Sequence, residues 1–206
     1  MILSTARQFA FIHVIKVAGM SIEKALMPYD VRNETAPVPP AWLGLKRHTT
    51  ALELRDIIGA ETFGRLFKFA FVRNPWDFEL SLYEFNRTHP EFPAYQNVIK
   101  FANFEDYMMA RKPDTKPKGA QLRYIADADN NVIVDYVGRF ENLAADFAEV
   151  CAKIGVPGNG LEKINATVHK PWQEYYTPAM FDLVRQMDAV DIATFGYSPN
   201  PADYGF

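Results

Sequence analysis

The chain has 206 residues, of which 49% are hydrophobic, 14% aromatic and 23% charged, with a formal net charge of −3. This length and composition exclude a disordered chain and suffice for one domain with a sizeable core. The charge excludes a nucleic-acid binder that works through a broad basic surface, but leaves room for a local basic cluster around a small anion.

Phe9–Val14 is a compact apolar run and predicts a buried strand. Ser21–Met27 begins a helix that Pro28 limits, with Ser21 as a possible cap. Residues 30–40 carry Pro37, Pro39 and Pro40 and predict a loop long enough to face a substrate. Thr50 and Glu53 have capping-box spacing ahead of Leu54, Ile57 and Ile58, so a helix starts there and Gly59 closes it. Phe67–Val72 predicts a second buried strand. Asn74-Pro75 reads as an N-cap followed by proline at the first helical position, opening a helix through Trp76, Leu80, Tyr83 and Arg87. Asn103 opens another, running to about Arg111. Arg111–Gly119 carries Lys112, Lys116 and Lys118 and reads as a solvated basic loop. Gln121–Ile125 and Val132–Val137 flank a turn at Asp127–Asn131.

Asn142–Ile154 is an amphipathic helix stopped by Gly155 and Pro157. The single cysteine, Cys151, lies on its apolar face and reads as a buried thiol; an intramolecular disulfide is excluded. Gly158–Tyr176 is mostly loop, and Thr177-Pro178 opens the last helix, Ala179–Asp191. No apolar run reaches membrane-spanning length, and Arg7 and Gln8 break what would otherwise resemble a leader. The expectation is a single soluble, cytoplasmic α/β domain over residues 1–206, with a central, largely parallel sheet flanked by helices.

Two stretches carry chemistry. In the first, the run from Phe9 gives way to a small-residue turn, Lys16-Val17-Ala18-Gly19-Met20-Ser21. Backbone N–H groups at such a turn and at the next helix start favour an anion. Lys16 adds a full charge, Gly19 permits close backbone approach, and Ser21 offers a hydroxyl. The order differs from a Walker A loop, in which lysine follows the glycines and precedes Ser or Thr. The residues alone fit either an anion cradle or an ordinary turn with an exposed lysine. In the second stretch, Arg73 follows the strand Phe67–Val72 and Ser81 lies about two helical turns further on. A guanidinium and a hydroxyl placed so can clamp one phosphate; the alternatives are an ion pair of Arg73 with Asp77 and a helix–sheet contact at Ser81.

Together these stretches resemble the sulfotransferases, in particular the branch containing carbohydrate sulfotransferases and their bacterial relatives. Phe11-Ile-His-Val-Ile15-Lys16-Val17-Ala-Gly19-Met20-Ser21 is similar to that family's 5′-phosphosulfate loop, with Ile15, Val17 and Met20 where proline and two threonines are usual. Phe71-Val-Arg73-Asn-Pro-Trp-Asp-Phe78-Glu-Leu-Ser81-Leu-Tyr83 is similar to its 3′-phosphate motif, with Phe78 in place of a frequent arginine. Val137-Gly-Arg139-Phe-Glu141-Asn-Leu143 with Asp146-Phe147, then Tyr175-Tyr176 and Phe195-Gly196-Tyr197, extend the likeness along nearly the whole chain.

The resemblance implies a P-loop-NTPase-like fold. It implies 3′-phosphoadenosine 5′-phosphosulfate as donor, a hydroxyl acceptor such as a sugar or glycan, and no metal. Lys16, with the loop Val17–Ser21, would hold the 5′ end and the leaving group; Arg73 and Ser81 would hold the 3′-phosphate. Arg139 could join them, or pair with Glu141 or Asp135. His48, in a segment similar to the family's K-H-x-T-A block, would be the base, since imidazole titrates near neutral pH. His13 alternates with Phe9 and Phe11 and reads as a buried, hydrogen-bonded histidine. His89 reads as inert, and His169 as part of a loop. Trp42, Tyr83, Trp172 and Tyr175 could stack on a base or sugar, or fill the core. A non-catalytic nucleotide-binding protein of the same fold and a P-loop nucleotide kinase stay open as alternatives.

Overall fold

The computed structural model describes residues 1–111, 119–158, 160–162 and 170–205. The fold is mixed α/β, with an open sheet flanked by helices. Among the described residues the sheet has four strands in the order β1 (Ile2–Ser4), β2 (Phe9–Ile12), β3 (Phe67–Val72) and β4 (Tyr136–Arg139). β1 runs antiparallel to β2, whereas β2–β3 and β3–β4 are parallel. Phe9, Phe11, Phe69 and Phe71 are all fully buried, as the continuous apolar run of a strand covered on both faces requires. Gly138 is set by the register. It stands opposite Phe71, and a Cβ there would lie 2.4 Å from the Phe71 ring.

The helices are α1 (Gly19–Leu26), α2 (Pro40–Leu43), α3 (Ala51–Ile58), α4 (Ala60–Arg65), α5 (Pro75–Thr88), α6 (Tyr95–Val98), α7 (Phe104–Met109), α8 (Leu143–Ile154), α9 (Pro178–Met187) and α10 (Ala189–Phe195). Thr50 closes a complete capping box with Glu53 on α3. The Asn74 side chain accepts from the N–H groups of Trp76 and Asp77, and Asn103 caps α7. Gly155 ends α8 in the left-handed region at φ 66°. No helix among the described residues is long and apolar enough to cross a membrane.

The chain forms two compact units. Met1–Val72 with Gln121–Ile164 holds the sheet, α1–α4 and α8; Arg73–Ala120 with Asn165–Phe206 holds the remaining helices. The second unit is built on Trp76, which stacks on Phe181 at 4.3 Å and donates its indole N–H to the Phe181 carbonyl at 3.1 Å. Trp172 stacks on Trp76, and Tyr83 packs against Phe104 and Tyr107. Of the four aromatics considered for ligand stacking, Tyr83 and Trp172 are therefore buried core of this unit, whereas Trp42 and Tyr175 are half-buried.

Several expectations change. The strand β1 and the helices α2, α4 and α6 are additions. Of the segment Val132–Val137 that flanks the turn, only Tyr136 and Val137 belong to β4, and Val132 makes an isolated bridge to Ala126. The last helix is two, because the chain breaks at Asp188, whose φ of −108° and ψ of 23° leave the helical range. The basic residues Lys112, Lys116 and Lys118, and His169, lie outside the described residues.

Candidate functional site

β2 delivers the chain to a tight loop whose geometry is unusual for its sequence. Lys16 and Ala18 both adopt left-handed backbone, at φ 61° and 59°. That conformation costs a non-glycine residue roughly 1–2 kcal/mol and marks places where surrounding structure over-determines the backbone. The Ala18 carbonyl accepts from Ser21 N–H at 3.0 Å and Ile22 N–H at 3.2 Å, which starts α1 at Gly19. No side chain caps this helix. Ser21 is therefore not the cap that its position suggested: it lies inside the first turn and is buried. Val17 is also fully buried, whereas Met20 is exposed.

Gly19 has a reason that differs from the expected one. A Cβ on it would fall 2.0 Å from His13 Nε2. The missing side chain makes room for the His13 ring beneath the loop.

His13 is buried, as its alternation with Phe9 and Phe11 implied. Its Nδ1 lies 2.8 Å from Glu23 Oε1. Glu23 also accepts from Arg47 Nε at 3.1 Å and from the Met1 amino group. Burial pushes the Glu23 carboxyl up, but the bonds from His13 and the Met1 amino group more than reverse this and hold it at about 2. Burial pulls the His13 imidazole below its ordinary value, against the opposing bond to Glu23. The pair is thus an ionised acid bonded to a neutral imidazole. His48 meets this group from the segment before α3. Its ring sits edge-on to His13 at 4.6 Å, and its Nδ1 is 3.1 Å from the His13 carbonyl. Tyr124 borders His48 at 6.4 Å.

The remaining predicted residues lie at or beyond strand ends. Arg139 is the last residue of β4, in register with Val72, and its N–H donates to Asp146 Oδ2 at 2.6 Å. Asp135, one of the acids considered for Arg139, pairs instead with Lys68 Nζ at 2.7 Å. Arg73 follows β3 directly. It is buried, and its Nε bonds Asp77 Oδ2 at 2.6 Å, so the ion pair weighed as an alternative is formed. Ser81 is buried within α5. The structure thus brings Lys16–Ser21 and His48 together through His13, and puts Arg139 at the carboxyl end of a parallel strand, where open α/β sheets bind ligands.

The chain is 32% identical over 126 residues to an uncharacterized protein of Archaeoglobus fulgidus, a match covering 57% of this chain and 83% of that protein. The chain belongs to that protein's family. No protein-family model matches it. Among solved structures it is similar to the crystal structure of a sulfotransferase from Alicyclobacillus acidocaldarius, with 16% identity, a TM-score of 0.34, and coverage of 92% of this chain and 93% of that one. A score of that size does not establish a shared fold.

In this member of the archaeal protein's family, sequence reasoning missed Glu23. The signal was available. Gly19, Ile22, Glu23 and Leu26 fall at i, i+3, i+4 and i+7, one helical stripe, and all four are buried. A carboxylate on a buried stripe needs a partner, and His13 was the buried group already in need of one. Glu23 also lines a cleft of about 550 Å³ with Met20, Lys24, Met27, Pro28 and Arg47. No group of three or more His, Cys, Asp or Glu among the described residues could hold a metal ion.

Proposed function

We propose that this chain is a sulfotransferase that moves a sulfuryl group from 3′-phosphoadenosine 5′-phosphosulfate to a hydroxyl, with a sugar or glycan as the acceptor class. The observation that carries the reading is the loop itself. Two left-handed non-glycine residues, Lys16 and Ala18, turn the chain directly into the start of α1. Successive N–H groups in such a turn, with a lysine and a helix N-terminus, suit a phosphate-like anion by the chemistry of the donor set.

Lys16, the backbone of Val17–Met20 and Ser21 would hold the phosphosulfate end. Arg73, Ser81 and Arg139 would serve the 3′-phosphate, on the strength of the motif resemblance. In the transfer the acceptor oxygen bonds to sulfur as the bond from sulfur to the 5′-phosphate oxygen breaks. Lys16 stabilises the charge on that leaving oxygen, and His48 takes the acceptor's proton.

The buried Val17 supports this assignment in one respect. Its side chain belongs to the core, so the absent threonine hydroxyl there is no loss to a ligand on the loop's outer side. Exposed Met20, where the resemblance has a second threonine, favours the other reading, a nucleotide-binding protein without turnover. Calorimetric titration with adenosine 3′,5′-bisphosphate separates the readings when combined with assay of sulfuryl transfer to sugar acceptors. The sulfotransferase reading expects binding by the parent, a loss of at least tenfold in Lys16→Ala and Arg73→Ala, and turnover. Binding without turnover on any acceptor favours the second reading. No binding by the parent, or stabilisation by magnesium-ATP alone, overturns both.

A further inference from the structure

His48 is held by contacts that start from a buried acid. Glu23 accepts from His13 Nδ1 at 2.8 Å, and this bond fixes one edge of the His13 ring. The other edge is fixed by packing, since Nε2 points at Gly19, where even a methyl group would come within 2.0 Å. Phe11 stacks on the same ring at 5.7 Å and 26°. His13 therefore has one orientation, bonded on one side and enclosed on the others. His48 rests edge-on against it at 4.6 Å and 66°.

The second link is a hydrogen bond whose direction is forced. His48 Nδ1 lies 3.1 Å from the His13 carbonyl oxygen. A carbonyl only accepts, so the proton must sit on Nδ1 of His48, which leaves the lone pair on Nε2. Free imidazole side chains favour the opposite tautomer. His48 is otherwise exposed, so solvent offers it little orientation.

We infer that Glu23 and His13 are positioning residues for His48, fixing its ring and its Nδ1–H tautomer so that Nε2 is the nitrogen presented to an acceptor hydroxyl. The use of Nε2 as base rests on the sulfotransferase reading; the tautomer and its dependence on Glu23 do not. When the acceptor oxygen bonds to sulfur and the bond to the 5′-phosphate oxygen breaks, the hydroxyl proton moves to Nε2, and the imidazolium charge is met by the His13 carbonyl at Nδ1–H. Arg47 and the Met1 amino group also bond Glu23, so Arg47 provides a control that leaves the Glu23–His13 bond in place.

The test is a long-range ¹H–¹⁵N NMR correlation of the histidine rings, which reads each tautomer directly, on the parent, Glu23→Gln, Glu23→Ala and Arg47→Gln. The parent is expected to show His48 as Nδ1–H. Glu23→Ala should give a mixture with Nε2–H. Glu23→Gln, whose amide oxygen still accepts from His13, and Arg47→Gln should resemble the parent. If Glu23→Ala does not fold, His13→Phe keeps a ring against Gly19 without the bond to Glu23, and must give the same mixture. A parent His48 in the Nε2–H form, or a tautomer unmoved in the folded variants that lack the Glu23–His13 bond, overturns the inference. In the transfer assay, Glu23→Ala should lower kcat about tenfold with the donor KM unchanged. Absence of transfer by the parent would sink the functional reading alone, because the NMR result still decides the positioning.

Discussion

Adjacent residues at the start of α1 carry opposite constraints. Ala18 sits at φ 59° with a Cβ that this region disfavours. Gly19 has no Cβ because the His13 ring occupies its place. A glycine at position 18 removes the steric cost but adds freedom to the unfolded chain. Ala18→Gly should therefore stabilise by up to about 1 kcal/mol. Gly19→Ala forces an extra carbon into a closed site and should destabilise by about 1–3 kcal/mol. Urea denaturation of the two variants checks the signs; a stability loss in Ala18→Gly would mean that the left-handed turn is not the relaxed geometry of the loop. The loop was legible in the sequence because its residues are contiguous. The Glu23–His13–His48 group was harder to read, because its members come from three segments: the buried stripe of α1 marks Glu23 as needing a partner, but no local pattern brings His48 to His13.

Among the secondary-structure elements, the helices with polar caps were legible from short-range signals. Thr50, Asn74 and Asn103 each bond the backbone two or three residues ahead, and an interaction of that range is written in neighbouring residues. β1 spans three residues, too short for alternation to register, and it exists because it pairs with β2. The place of β4 was likewise a long-range matter. Phe71 fills the space over Gly138, so the pairing of β3 with β4 depends on a large residue facing none. Gly138→Ala should cost about 1–3 kcal/mol by overpacking. The double variant Gly138→Ala with Phe71→Leu should recover part of that loss relative to the sum of the single changes. Strict additivity in equilibrium denaturation would show that the two residues do not contend for the same volume.

For the whole molecule, one buried carboxylate of the sheet-containing unit, Glu23, sets an acid response that can be isolated from every other carboxylate. Glu23 is held at about 2, against an ordinary 4.5. Between those pH values the unfolded chain binds the proton and the folded chain does not, so stability rises with pH across the window and is lost as pH falls through it. His13 acts in the same direction higher up. Burial lowers its affinity for a proton below the ordinary 6.5, so its contribution is full above that pH and declines as the pH drops. Glu23→Gln keeps an acceptor for His13 but cannot titrate. The other carboxylates titrate alike in parent and variant and cancel in the difference between them. That difference in unfolding free energy, measured by guanidinium denaturation, should be largest between about pH 5 and 7 and shrink progressively from pH 4.5 towards pH 2. A difference that stays constant over this range would mean that Glu23 is not ionised against His13 in the folded chain, and the direction of the bond that fixes the His13 ring would have to be reassigned.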